Sequence, residues 1–154
     1  MERNIRVRKI KNGTVIDHIT TGQALNVLKI IGITTGFPRA TVTVAMNVPS
    51  RKAGAKDIVK VEGRELMADE VDKISLIAPH ATINIIRDYK VVEKKKVSVP
   101  EIMGGFIRCA NPNCITNTEY TASKFAVEEK HHPIKLRCIY CERTMSEEEI
   151  VKQF

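Results

Sequence analysis

Apolar positions recur along the chain in short, alternating blocks, and each block predicts an element. Ile5 and Val7 alternate with polar residues, which predicts a strand over 5–10. Asn12-Gly13 follows as a hairpin signal, because a type I′ turn needs positive φ at both central residues. Val15 and Ile16 then begin a return arm that leads into Asp17 and His18. Ala24, Leu25, Val27, Leu28 and Ile31 make a helical stripe within 22–31, closed by Gly32. The β-branched run 41–48 reads as a strand stopped by Pro49, and 57–62 as another. Asp69 is placed to cap a helix bearing Val71, Ile74, Leu76 and Ile77, which Pro79 ends. Residues 81–87 alternate as a strand, and 89–92 continue it or pair with it after Asp88. The order is ββ-α-β-β-α-β(β). It predicts an α+β domain with a ferredoxin-like βαββαβ sandwich, two helices covering one face of an antiparallel sheet. The other face, or an edge such as 41–45, is then available for a ligand or a second copy. The plainer reading places 41–45 centrally, as a wholly structural core strand.

The pattern changes near Val97-Ser98-Val99-Pro100. Residues 1–98 carry 18 basic and 10 acidic side chains, whereas 99–154 carry 7 and 8, and all four cysteines lie in the second part. Two domains are therefore expected, 1–97 and 98–154. The second is near the size at which a core alone is marginal and a metal or disulfide is usually needed. The 154-residue chain has a net charge of +7 and 43% hydrophobic residues, enough for a packed core. It has no apolar run of membrane-spanning length and no apolar leader, so a soluble, cytosolic protein is expected. Aromatics are 5% with no Trp, which argues against a surface that stacks many bases.

The strongest chemical signal is Cys109-x4-Cys114 followed by Cys138-x2-Cys141. Two close pairs on short loops can set four thiolates around one tetrahedral Zn²⁺. Four protein ligands leave no open position, so such a zinc is structural. His131 and His132 then read as loop residues. Short strands are expected at 125–128 and 134–136, and Ser146 to Glu149 fits a capping box for a short last helix. The slight acidity of 99–154 argues against a nucleic-acid-binding zinc ribbon, the rival reading, and favours docking on another protein. Ile115, Ile139 and Tyr140 are placed to supply apolar contact. In the basic half there is no glycine-rich phosphate loop. Polyphosphate binding would fall to side chains: His18, Lys56, Lys60, Lys90 and the run 94–96. From the residues alone, the lysine run reads first as a solvated edge, and Asp17-His18 as a turn Asp followed by a surface His. No nucleophile–base pair with distinctive spacing is present, so an enzyme is not expected.

Four stretches in order carry a resemblance: Gly13-Thr14-Val15-Ile16-Asp17-His18-Ile19, Lys56-Asp57-Ile58-Val59-Lys60-Val61-Glu62, Ala78-Pro79-His80-Ala81-Thr82-Ile83-Asn84, and the cysteine pattern. Together, over roughly 5–150, they look like the regulatory chain of aspartate carbamoyltransferase, an enzyme of pyrimidine biosynthesis. The resemblance implies a non-catalytic subunit whose N-terminal domain binds CTP as feedback inhibitor and ATP as activator. Its zinc domain would dock on the catalytic chain, and regulatory dimers would bridge catalytic trimers. It also implies a nucleotide site, and it reverses the first reading of Asp17-His18 and Lys94. Asp17 and His18 would meet ribose and phosphate, Lys60 the sugar and base, and Lys94 phosphate and ribose. Asn84, Ile86, Tyr89 and Val91 would line the wall, with Ile10 and Val15 at hairpin positions. Lys95 and Lys96 stay open between phosphate and solvent.

Overall fold

The computed structural model describes residues 9–32, 41–52, 54–119, 121–131 and 133–154. The chain divides into two compact units, Met1–Ser98 and Val99–Phe154.

In the first unit the order is β1 (Gly13–Ile19), α1 (Ala24–Ile30), β2 (Val42–Ser50), β3 (Gly54–Glu62), α2 (Ala68–Ile77), β4 (Thr82–Arg87) and β5 (Lys90–Lys96). The sheet runs β2-β3-β1-β4-β5 and every neighbouring pair is antiparallel. This is the expected ferredoxin-like sandwich, with β5 added at the β4 edge. Alternation sends Thr14, Ile16, Val59, Val61 and Ile83 to one face, all buried. Val27, Ile31, Ile74 and Ile77 of the helical segments are buried with them. Polar residues dominate the opposite face. β2 is an edge strand among the described residues, so the central placement of 41–45 is set aside.

Several local expectations change. The strand expected at 5–10 falls mostly on 1–8, outside the described residues, and Lys9 and Ile10 are not in a strand. Asn12 lacks positive φ and Gly13 opens β1 instead of turning a hairpin. Gly13 is required for another reason: a Cβ there would lie 2.1 Å from the Val61 carbonyl oxygen, at φ +143°. The two-residue turn with both φ values positive is Asp88-Tyr89, at 51° and 65°, closing the β4–β5 hairpin. The Asp88 N–H donates to Asn12 Oδ1 at 3.1 Å and the Tyr89 N–H to the Lys11 carbonyl at 2.9 Å. Thus Asn12 supports a turn that another part of the chain makes. Pro49 does not stop its strand; it sits within β2, where an edge tolerates its missing N–H. α2 is capped at Met67, whose N–H donates to Glu70 Oε1 at 2.9 Å, and Asp69 lies inside the first turn.

Asp57 on β3 is fully buried and organises one end of the sheet. Its Oδ2 accepts from the N–H groups of Gly22 (2.9 Å) and Ala24 (3.1 Å), at the start of α1. Its Oδ1 accepts from the Asn47 N–H at 2.8 Å. Pairing with β3 slips between Ile16 and Ile19 on β1 and between Ala45 and Val48 on β2. Each slip contains a residue at φ 56°, His18 and Asn47. Both strands therefore bulge beside the same carboxylate.

The second unit holds a four-stranded antiparallel sheet, β6 (Ile102–Gly104), β7 (Lys124–Glu129), β8 (Lys135–Cys138) and β9 (Thr144–Met145). Two short helices accompany it, α3 (Ile115–Thr118) and α4 (Glu147–Val151). The expected strands at 125–128 and 134–136 are present with shifted ends, Ile134 lying just outside β8; β6, β9 and α3 are additional. Phe125, Leu136, Met145 and Ile150 are fully buried. The Ser146–Glu149 capping box is formed, with the Glu149 N–H donating to Ser146 Oγ at 3.3 Å.

Candidate functional sites

The open face of the first sheet gathers residues far apart in sequence by register alone. One row crosses all five strands: Thr43, Lys60, Val15, Asn84 and Lys94 are consecutive partners from β2 to β5. Directly opposed residues project to the same face. The next row holds Asp17, Thr82 and Lys96. On the other side of the first row, Gly13 pairs with Ile86 and Ile86 with Val91. Val15, Asp17, Lys60, Asn84, Ile86, Val91 and Lys94 therefore share one face. Ile10 is buried before β1, while Tyr89 is exposed in the β4–β5 turn.

Charges on this face are partly matched. Lys56 Nζ lies 2.9 Å from Asp17 Oδ1, with the two side chains 19% and 25% exposed. The His18 N–H donates to Asp17 Oδ1 at 2.6 Å, and the left-handed backbone of His18 brings Nδ1 to 3.4 Å from Thr82 Oγ1. The Asn84 amide donates to the Val15 carbonyl at 3.3 Å. Burial lowers the pKa of Lys60, and the Asp17 charge opposes that shift. The result is a part-buried set of lysine, imidazole, carboxylate and amide groups with apolar Val15 and Ile86 beside it. It is chemically suited to an anion that also carries hydroxyls. Thr82 was not singled out from sequence, although the period-2 alternation that places Asn84 places it too. Lys90 pairs with Arg87 at the turn and lies away from the rows.

The second site is the cysteine cluster. All four Sγ atoms lie within 4.8 Å of one another. Cys109 and Cys141 are 3.5 Å apart, and Cys114 and Cys138 3.7 Å. Sulfurs at the corners of a tetrahedron with 2.3 Å metal bonds are separated by about 3.8 Å. A disulfide would bring its two sulfurs to about 2.05 Å. The donor set thus fits one tetrahedral thiolate-bound metal, and the cysteines are free of disulfides. His131 is exposed and stands outside the cluster; His132 is outside the described residues.

Local bonds shape the two ligand loops. The Cys114 N–H donates to the Asn111 carbonyl at 3.0 Å, closing the first loop. The Asn117 amide donates to the carbonyls of Cys109 (2.8 Å) and Asn111 (2.7 Å). In the second loop the Glu142 N–H donates to the Cys138 carbonyl at 2.9 Å, with Glu142 at φ 64°. Arg143 joins the loops: Nη1 donates to the Ala110 carbonyl at 2.7 Å and Nη2 lies 3.2 Å from Glu149 Oε2. Burial pushes the Cys109 thiol up to about 12. Burial also acts to raise Cys141, but hydrogen bonds from the Arg143 N–H and the Asn111 side chain help hold it at about 7. A hydrogen bond from Thr116 favours the Cys114 thiolate, the hydroxyl lying 3.2 Å from its sulfur. A bound cation would complete the neutralisation of such a crowded thiol set.

Comparison with known proteins matches both units. The family model described as aspartate carbamoyltransferase regulatory chain, allosteric domain, matches residues 5–98. The one described as the metal binding domain of the same chain matches residues 101–151. The aspartate carbamoyltransferase regulatory chain of Pyrococcus horikoshii is 58% identical over 147 residues, 96% of each chain. That of Thermofilum pendens is 58% identical over 155 aligned positions, 99% of this chain and 96% of the relative. That of Methanothermobacter thermautotrophicus is 55% identical over 150, covering 97% and 95%. In sequence along nearly its whole length, and with the cysteine cluster in the matching domain, the chain belongs to the family of aspartate carbamoyltransferase regulatory chains, which are non-catalytic subunits.

Proposed function

We propose that this chain binds nucleoside triphosphates on the open face of its first sheet and relays their presence to catalytic chains of aspartate carbamoyltransferase. CTP is the inhibitory effector and ATP the activating one. Residues 1–97 form the effector domain, and residues 98–154, held by one structural Zn²⁺, form the docking domain. The zinc would be held by Cys109, Cys114, Cys138 and Cys141, and it supplies a cross-link between two loops, not reactivity. Self-association into dimers through the effector domain, and a cytoplasmic location, complete the reading.

The observation that carries the reading is the row of partners Lys60, Val15, Asn84 and Lys94, with Asp17 and His18 beside it. In this site Asp17 accepts from ribose hydroxyls, His18 and Lys94 hold phosphate oxygens, and Lys60 reaches the sugar and base. Asn84, Ile86, Tyr89 and Val91 make the wall, completed by Ile10 and Val15. The regulatory effect equals the nucleotide's differential affinity for two states of the assembly, typically ~1–3 kcal/mol. Calorimetric titration of the zinc-loaded chain with CTP tests this. Stoichiometric binding that ATP competes away, with duplex DNA inert, is expected. Salt-sensitive DNA binding without nucleotide binding would replace the reading with a zinc-ribbon protein of nucleic acids.

A further inference from the structure

Within that nucleotide reading, on which this step rests, we infer that Lys96 is a phosphate-binding residue that makes the site selective for a triphosphate, and that its neighbour Lys95 takes no part. The run of three lysines occupies the last positions of β5. The sequence resemblance singles out only Lys94 and leaves Lys95 and Lys96 alike; the β4–β5 register separates those two. Lys94 opposes Asn84 and Lys96 opposes Thr82, whereas Lys95 opposes Ile83. Asn84 and Thr82 belong to the open face, where Asn84 also pairs with Val15 and Thr82 with Asp17. Ile83 is buried on the helix-covered face, and Lys95 projects to that side together with Glu93. Two cations thus stand on the open face of one strand, about 7 Å apart along it. The single acid of the strand is directed away from them.

The direction of the phosphate chain follows from what surrounds Lys96. Its row contains Thr82, whose hydroxyl is 3.4 Å from the His18 ring, and Asp17, which is already joined to Lys56. Cations therefore accumulate toward this end: Lys94, then Lys96, with His18 on β1 and Lys56 on β3. Toward the other end Gly13 is followed by apolar Ile86 and Val91 on the β4–β5 side, while its β3 partner is the acidic Glu62, which disfavours phosphate there. A nucleotide lying along the face meets its lower energy with the base at the apolar end and the terminal phosphates by Lys96. All residues of β5 are exposed, so Lys96 is free to follow a flexible polyphosphate.

The test is calorimetry of the intact zinc-loaded chain with CTP, CDP and CMP, for wild type, Lys96→Ala, Lys96→Arg and Lys95→Ala at 0.15 M salt. K96A is expected to weaken CTP about tenfold, the loss of one charge-assisted contact, while changing CMP less than about twofold. K96R should retain most of the CTP affinity, and K95A should match wild type for all three. Equal losses in K95A and K96A would reduce Lys96 to general charge attraction and overturn the inference. Equal losses for CTP and CMP in K96A would overturn the assigned direction. No CTP binding by wild type is the separate failure of the nucleotide reading. Unchanged melting of both alanine variants, expected for exposed side chains, guards against misfolding as a cause.

Discussion

Asp57 anchors the geometry of one end of the first sheet, although it points away from the open face. Replacing it with Ala removes the acceptor of three backbone N–H groups, at 2.9, 3.1 and 2.8 Å. A hydrogen bond to a charged acceptor contributes about 1.5–3 kcal/mol, and a buried donor left unpaired costs about 1–3 kcal/mol. Only the Ala24 bond is wholly buried; Gly22 and Asn47 are part-buried and regain some bonding to water. The expected cost of Asp57→Ala is therefore about 4 kcal/mol, well below the sum of three full penalties. Asp57→Asn keeps one oxygen for the Gly22 and Ala24 N–H groups but turns an NH₂ toward the Asn47 N–H, so about 2 kcal/mol is expected. Against a typical total of about 5–15 kcal/mol these are large losses. Urea unfolding of the zinc-loaded chain, read together with amide exchange, measures them. Exchange should accelerate at Gly22, Ala24 and Asn47, and remain unchanged in residues 99–154. A D57A variant within 1 kcal/mol of wild type, or unaltered exchange at those three amides, would refute the reasoning. So would a D57N variant that is less stable than D57A.

Other perturbations have equally definite outcomes. Gly13→Ala would press a methyl into the Val61 carbonyl oxygen at 2.1 Å; strand separation at that corner should cost more than about 3 kcal/mol, visible as a lowered melting temperature. A normally stable G13A protein would contradict the close approach. Stripping the metal with a chelator should collapse the NMR dispersion of residues 99–154 while the first sheet keeps its signals, because metal binding is part of the small unit's folding free energy. Retained dispersion in a sample shown to be metal-free would make the cluster dispensable. Ser146→Ala removes one side of the last helix's capping box and should cost about 1 kcal/mol in urea unfolding. No change would mean that α4 is held by the burial of Ile150 alone.

Much of this was legible before any coordinates because it depends on local periodicity or local chemistry. The alternation of Thr82 to Arg87 and the β-branched run at β2 are period-2 signals, and they reappear as strands. The cysteine spacing needs only two short loops to bring its sulfurs together, and they lie within 4.8 Å. Signals with two physical causes are ambiguous in the chain alone. A glycine after Asn suggests a turn, yet Gly13 is glycine because another strand's carbonyl occupies the place of a side chain. Asp69 has the chemistry of a cap, but the capping bond belongs to Glu70, and only the backbone path at Met67 decides that.

The sequence by itself determined most strands and both helices of the first unit, that a basic half is followed by a near-neutral half, and that the second half carries four cysteines spaced for one metal. These follow from side-chain period, charge count and short-range spacing. Tertiary structure decided which of those residues stand together. The bulges at His18 and Asn47 exist beside a buried carboxylate on a third segment, so no window of sequence contains their cause. The row Lys60–Val15–Asn84–Lys94 depends on three strand registers at once. A one-residue slip in any of them would send a candidate site side chain to the helix-covered face. For that reason the members of the candidate site could be named from the chain, but their common face, and the separation of Lys94 and Lys96 from Lys95, come from the sheet.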